Sequence, residues 1–123
     1  MAPTRRPQPP RVVQEFGHTL HEARAQLLRA VATTEEELHA IEEREIGAPL
    51  EDAGRAAVRG ILARLDDREQ AEFDDIEAGL ERLRSGTFGL CEECQGEIPM
   101  SRLRALPTAR RCLACQSTQE EAR

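Results

Sequence analysis

Four cysteines in the C-terminal third, Cys91, Cys94, Cys112 and Cys115, constrain the fold of this chain more than anything else in it. They stand in the pattern C-x2-C-x17-C-x2-C. Two CxxC hooks at this separation match the spacing of a structural zinc site. Each hook offers two thiolates from one tight turn, and together they complete a closed tetrahedron around one Zn²⁺. Four protein ligands leave no open position for water, so such a site holds structure and does no catalysis. Two disulfides would use the same residues. Residues 1–10, however, show no apolar stretch of a secretory signal, and a reducing cytosol favours metal over disulfides. A dithiol redox site fits less well, because two hooks are present and no alternating strand–helix pattern surrounds either. The spacing alone does not separate zinc from iron.

The remainder of the chain has little aromatic material for a core: Phe16, Phe73 and Phe88, with no Trp or Tyr. Charged residues make up 33% of it, a composition suited to long helices more than to a large globular interior. The net charge of −6 argues against duplex DNA or an anionic membrane as the main partner. No apolar run approaches the roughly 18 residues of a membrane-spanning helix. The expected location is the cytoplasm.

Residues 1–10 hold four prolines and two arginines and read as a disordered leader. From Arg11 the pattern turns helical. Phe16, Leu20, Leu27, Val31, Thr34, Leu38 and Ile41 form a narrow apolar seam of coiled-coil type, with Glu22, Arg24, Glu35, Glu36 and Glu42 between them. The seam ends near Ile46, where Gly47 and Pro49 break the helix. Asp52 suits the start of the next helix. A second seam runs Val58, Leu62, Leu65, Phe73, Ile76, Leu80 and Leu83 and stops at Ser85-Gly86. Gly60 sits inside it and weakens the helix by about 1 kcal/mol relative to Ala. Two helices of roughly 35 residues would each be about 50 Å long. Joined by a short loop, they pair most simply as an antiparallel hairpin within a monomer, with dimerisation through the same stripes as the rival arrangement. The expected fold is mainly α: a long antiparallel coiled-coil hairpin over residues 11–86 with its tip near 46–54, then a four-cysteine zinc finger with a short C-terminal helix over 87–123. That last helix is expected to pack near the base of the hairpin.

The finger region is similar to that of the DksA/TraR family of bacterial transcription factors. Cys91-x2-Cys94-x3-Ile98-x3-Arg102-x4-Pro107-x4-Cys112-x2-Cys115 follows that family's signature at each fixed position. The lead-in Phe88-Gly89-Leu90 and the run Pro107-Thr108-Ala109 resemble it too, and with the upstream hairpin the resemblance covers most of residues 11–120. It implies a non-enzymatic regulator that binds RNA polymerase. In the family, the hairpin enters the polymerase secondary channel, the tip approaches the active site, and the zinc end rests on the rim. Promoter complexes change in stability, often together with the alarmone ppGpp.

An acidic hairpin is compatible with a basic channel, and tip carboxylates with a Mg²⁺-bearing active site. The candidate tip spans residues 47–56, with Glu51, Asp52, Arg55 and Ala56 as its partner-binding candidates. The best-known family members carry Asp-x-x-Asp-x-Ala here. This chain has Glu51-x-x-Gly54-x-Ala56, so Gly replaces the second Asp. Asp52, one position on from Glu51, points about 100° away round the helix. Carboxylates at a helix start also simply complement its dipole. For ppGpp the departure is wider: Gln116 follows Cys115, Asp74-Asp75 occupy the relevant helix, and Arg68 is the one cation placed to help. A ppGpp requirement is therefore not expected.

Arg102, Arg104, Arg110 and Arg111 form a basic cluster inside an acidic chain, offering contacts to polymerase or to phosphates. No aromatic platform accompanies them, and Arg102 belongs to the signature as a brace of the finger. His18, His21 and His39 read as surface residues. Alternatives to the polymerase reading are a zinc-ribbon nucleic-acid binder and a stress-related adaptor that keeps the fold without channel activity. Nothing in the chain resembles a catalytic acid–base pair, an activated nucleophile or a phosphate loop.

Overall fold

The computed structural model describes residues 9–45 and 47–122. Most of the expected leader, and Ile46 at the end of the first seam, lie outside these residues. Six helices follow in order: α1 Pro10–Val31, α2 Glu35–Glu45, α3 Asp52–Ala63, α4 Asp67–Ser85, α5 Met100–Ala105 and α6 Leu113–Glu121. Among the described residues the extended pairing is confined to one antiparallel bridge between Leu90 and Glu97. The chain is mainly α, with a helical hairpin and a four-cysteine finger. Each arm of the hairpin, expected as one continuous helix, is two helices.

The breaks have a local cause. Thr34 Oγ1 accepts the Glu37 N–H at 3.1 Å, while Glu37 Oε1 accepts the Thr33 N–H at 2.9 Å. This is a T-x-x-E capping arrangement that starts a new helix at Glu35. In the second arm Asp66 Oδ1 accepts the Glu69 N–H at 2.8 Å and Glu69 Oε1 accepts the Asp66 N–H at 3.0 Å. That is a complete D-x-x-E capping box, starting α4 at Asp67. At the other end, α1 begins on Pro10, where a missing N–H costs nothing.

The chain divides into two compact units, and α1 and α4 contribute to both. One unit is residues 21–76. Its core joins Ala25 and Leu28 of α1, Ile41 of α2, Ile61 of α3 and Phe73 of α4, with Leu27, Val31, Leu62 and Leu65 packed partly buried against it. Arg29 Nη2 lies 2.5 Å from Glu45 Oε1. Sixteen residues of continuous helix would separate them by about 24 Å, so the chain turns back at 32–34 and α2 returns toward α1. Ala25, Leu28 and Ile61, absent from the sequence seams, are buried for this reason: four helical segments surround the core, not two. Leu38, a seam residue, is 41% exposed.

Charge also enters this interior. Glu37 is buried at 6% exposure and pairs with Arg64 Nη2 at 2.6 Å. The same guanidinium donates to the Val31 carbonyl at the end of α1 (3.4 Å). Gly60 has a reason to be glycine: a Cβ there would sit 3.3 Å from Glu37 Oε2. The Arg64 guanidinium first, then the Thr33 N–H, holds the Glu37 carboxyl down at about 2, against the opposing effect of burial.

The other unit takes the described residues up to Leu20 and those from Glu77 onward. Its buried side chains include Val12, Phe16, Leu20, Leu80, Phe88, Ile98 and Leu103. The Phe16 and Phe88 rings meet at 4.9 Å between centroids and 42° between planes, which ties the start of α1 to the finger's lead-in. Gly79 allows α4 to approach α1 closely, since a Cβ there would lie 3.0 Å from Leu20 Cδ1. Helix α6 buries none of its residues; Cys112 and Cys115 tether it, in place of the packing against the hairpin base expected from the sequence.

Candidate functional site

The first hook is a tight turn between Leu90 and Glu97. Cys91 N–H donates to Gly96 O (2.8 Å), Gln95 N–H to Cys91 O (2.9 Å) and Ile98 N–H to Gly89 O (2.7 Å). Gly89 holds φ +86° at the entrance, a conformation that glycine adopts without strain. Gly96 N–H points at Cys94 Sγ from 3.4 Å, and a Cβ on Gly96 would come within 3.3 Å of that sulfur. The second hook is a helix start. Cys112 is the N-cap of α6 and Cys115 lies in its first turn. Glu92 N–H to Arg110 O (2.8 Å) stitches the two hooks together.

The four Sγ atoms lie within 4.8 Å of one another, and Cys94 and Cys112 are 3.9 Å apart. Zinc–sulfur bonds of about 2.3 Å place tetrahedral ligands about 3.8 Å apart, so the cluster fits one four-coordinate ion. The thiols also differ strongly in acidity. Burial opposes ionisation of Cys91, but the N–H groups of Cys94, Cys112 and Glu93 outweigh it and lower the thiol from 9.0 to about 6. Cys115 is pushed up to about 12, first by Cys112 and then by Cys91. Crowded sulfurs resist sharing four negative charges, and a divalent cation removes that penalty. Cys91, Cys94, Cys112 and Cys115 are a structural zinc site.

The finger's arginines are largely committed to the protein itself. Arg102 Nε donates to Arg111 O (3.3 Å), bracing the finger. Arg104 pairs with Glu15 of α1 at 3.1 Å, and Arg111 with Glu92 at 2.7 Å and Glu93 at 3.5 Å. Arg110 is half-buried and engaged as well. The cluster is an internal lattice more than an open phosphate-binding face.

At the tip, Asp52 and Arg55 form an ion pair, and Arg55 also donates to Leu50 O. Glu51 is the N-cap residue of α3, yet its side chain makes no capping bond and is exposed. Ala56 is exposed too. Gly54 makes room for Leu50, whose Cδ2 lies 3.3 Å from where a Cβ would stand; the loss of a carboxylate there is linked to how the tip folds over itself. Sequence reasoning missed a groove of about 380 Å³ beside the tip, lined by Glu36, His39, Glu43, Pro49 and Glu51 among others. His39 Nε2 and Glu43 Oε1 are 2.8 Å apart there. Its signal was present in the i, i+4 spacing of the α2 residues. His21 meets the buried Arg24, whose Nη2 donates to Nδ1 at 2.9 Å. Arg68 is an exposed residue of α4, and Gln116 Nε2 donates to Glu120 Oε1 at 3.1 Å.

Fold and site together define a four-cysteine zinc-finger protein with a helical hairpin ahead of the finger. Residues 86–121 match the prokaryotic DksA/TraR C4-type zinc finger. An uncharacterized protein of Aquifex aeolicus is 34% identical over 111 residues, spanning 89% of this chain and 77% of that protein. The RNA polymerase-binding transcription factor DksA of Escherichia coli is 35% identical over 72 residues, 58% of this chain and 48% of that protein's length. The solved structure of transcription factor DksA2 from Pseudomonas aeruginosa is 30% identical, with a TM-score of 0.58 over 89% of this chain and 84% of that one. The chain belongs to the DksA/TraR family.

Proposed function

We propose that this protein is a non-enzymatic transcription regulator that binds RNA polymerase in the cytoplasm and presents the hairpin tip, residues 47–56, within the secondary channel. The observation that carries the reading is the pairing of the family's finger with an acidic tip whose foremost carboxylate, Glu51, is exposed and unused as a cap. Relatives sharing the finger bear the name RNA polymerase-binding transcription factor. Glu51 and the Asp52–Arg55 pair act on the polymerase, and the zinc site keeps the finger rigid at the other contact. The internal pairing of Arg102, Arg104 and Arg111 favours this reading over phosphate binding by the finger. With Gln116 after the last cysteine and Asp74-Asp75 on α4, regulation proceeds without a requirement for ppGpp, as a monomer.

The lifetime of open promoter complexes formed by purified polymerase tests this directly. Zinc-loaded protein should change that lifetime, and Glu51→Ala with Asp52→Ala should remove the change. An unaltered lifetime at saturating protein would refute the regulatory role.

A further inference from the structure

The apolar seam of the sequence runs in step through the first helix break, at Val31, Thr34, Leu38 and Ile41, and resumes past the second at Phe73 and Ile76 after an interval of eight residues from Leu65. The folded-back unit does not use it so. It buries Glu37 at 6% exposure and leaves the neighbouring Leu38 at 41%. A continuous arm would reverse that pair, turning Leu38 into the seam and releasing Glu37 to solvent. The same residues therefore satisfy two packings. The one observed is held by a short set of polar contacts: the capping pairs at Thr34 and Asp66, the Arg29–Glu45 ion pair between α1 and the end of α2, and the Glu37–Arg64 ion pair that joins one break to the other.

We infer that residues 32–34 and 64–66 form a paired hinge with Glu37–Arg64 as its latch, and that the hairpin exchanges between this folded-back form and a straight form in which α1 runs on into α2 and α3 into α4. Each state offers what the other lacks. Folding back gains the four-segment core around Ile41 and Ile61; straightening buries Leu38 and restores one helical hydrogen-bond ladder through each break. Release of the latch adds the 11 residues of α2, about 16 Å, to the first arm. The hinge stands on the contacts within residues 21–76 alone and does not depend on polymerase as the partner.

The test is a spin-pair distance on the full-length, zinc-loaded protein without polymerase. Labels go at exposed Gln26 and Glu42 through non-cysteine unnatural residues, so the zinc ligands stay untouched. A continuous helix puts these positions about 24 Å apart; the folded-back form puts them markedly closer. The wild type should show both distances. Glu37→Ala should enlarge the long component severalfold, and Leu38→Glu should abolish it. A single short distance in the wild type overturns the hinge, as does a long component that persists unchanged in Leu38→Glu. If Glu37→Ala loses its helical circular dichroism, the wild type and Leu38→Glu still decide the matter.

Discussion

The finger and the 35–63 segment solve the same problem, fixing a short stretch of chain, by opposite means. In the finger, four sulfurs within 4.8 Å of one another converge on a metal, and backbone hydrogen bonds around both hooks serve that geometry. Each of the four ligands completes the tetrahedron, and a residue that cannot bind zinc at any of them would leave it open. Around the 35–63 segment, two capping pairs, the Glu37–Arg64 and Arg29–Glu45 ion pairs and a small apolar core hold the helices. Each contact there is modest, and another packing satisfies most of the same side chains. The finger is set by chemistry with a single solution; the 35–63 segment is set by a balance.

Removing the metal should break this comparison most visibly. Structural zinc contributes an apparent binding free energy of about 10–16 kcal/mol in finger peptides at neutral pH. Chelation, or Cys112→Ser, should unfold residues 87–122 while α2 and α3 persist. Amide exchange followed residue by residue distinguishes that outcome from global unfolding; full protection of the finger after chelation would contradict the role assigned to the site. Next in size is Gly79→Ala, which brings a Cβ within 3.0 Å of Leu20. Overpacking of this kind costs about 1–3 kcal/mol, offset in part by the roughly 1 kcal/mol that Ala gains over Gly within a helix, and the net loss is read as a lower urea midpoint; no loss would show that Leu20 moves aside freely.

The latch at Glu37 gives a smaller effect with a distinctive pH signature. Its folded acidity, about 2, lies below the ordinary 4.5. The stability it adds is thus complete above about pH 4.5 and is lost as the pH falls from there toward 2. Thermal melts of the wild type and Glu37→Gln should differ at neutral pH and converge across that window. A gap that stays constant would mean that shape, not charge, is what Glu37 supplies. Smallest for stability is the tip: Glu51→Ala with Asp52→Ala should change the melting midpoint hardly at all, by about 0.5 kcal/mol or less. Polymerase affinity should stay nearly intact in that variant; equal loss of affinity and regulatory effect would make the tip a binding contact instead.

The comparison also explains what could be read from sequence. Cysteine spacing speaks through residue identity, so the zinc site and its four ligands were legible, and so was the helical character of both arms. The breaks were not, because Thr34-x-x-Glu37 and Asp66-x-x-Glu69 lie in runs so rich in acids that capping residues do not stand out from surface charge. Glu37 is one more acid in such a run, and only the fold brings Arg64, 27 positions later, beside it. Ala25 and Leu28 fall outside a two-helix seam and enter the core only because α2 returns to α1. Gly60 and Gly54, read as a helix weakness and as a lost carboxylate, accommodate the Glu37–Arg64 pair and Leu50. What sequence periodicity cannot carry is the choice between packings that share one pattern.

The most direct test of the central claim is capture of core RNA polymerase by the purified, zinc-loaded protein, with a second secondary-channel factor added as competitor. The proposed function predicts saturable binding that the competitor displaces. Absence of binding by a well-folded zinc form, or binding that the competitor leaves untouched, would contradict it.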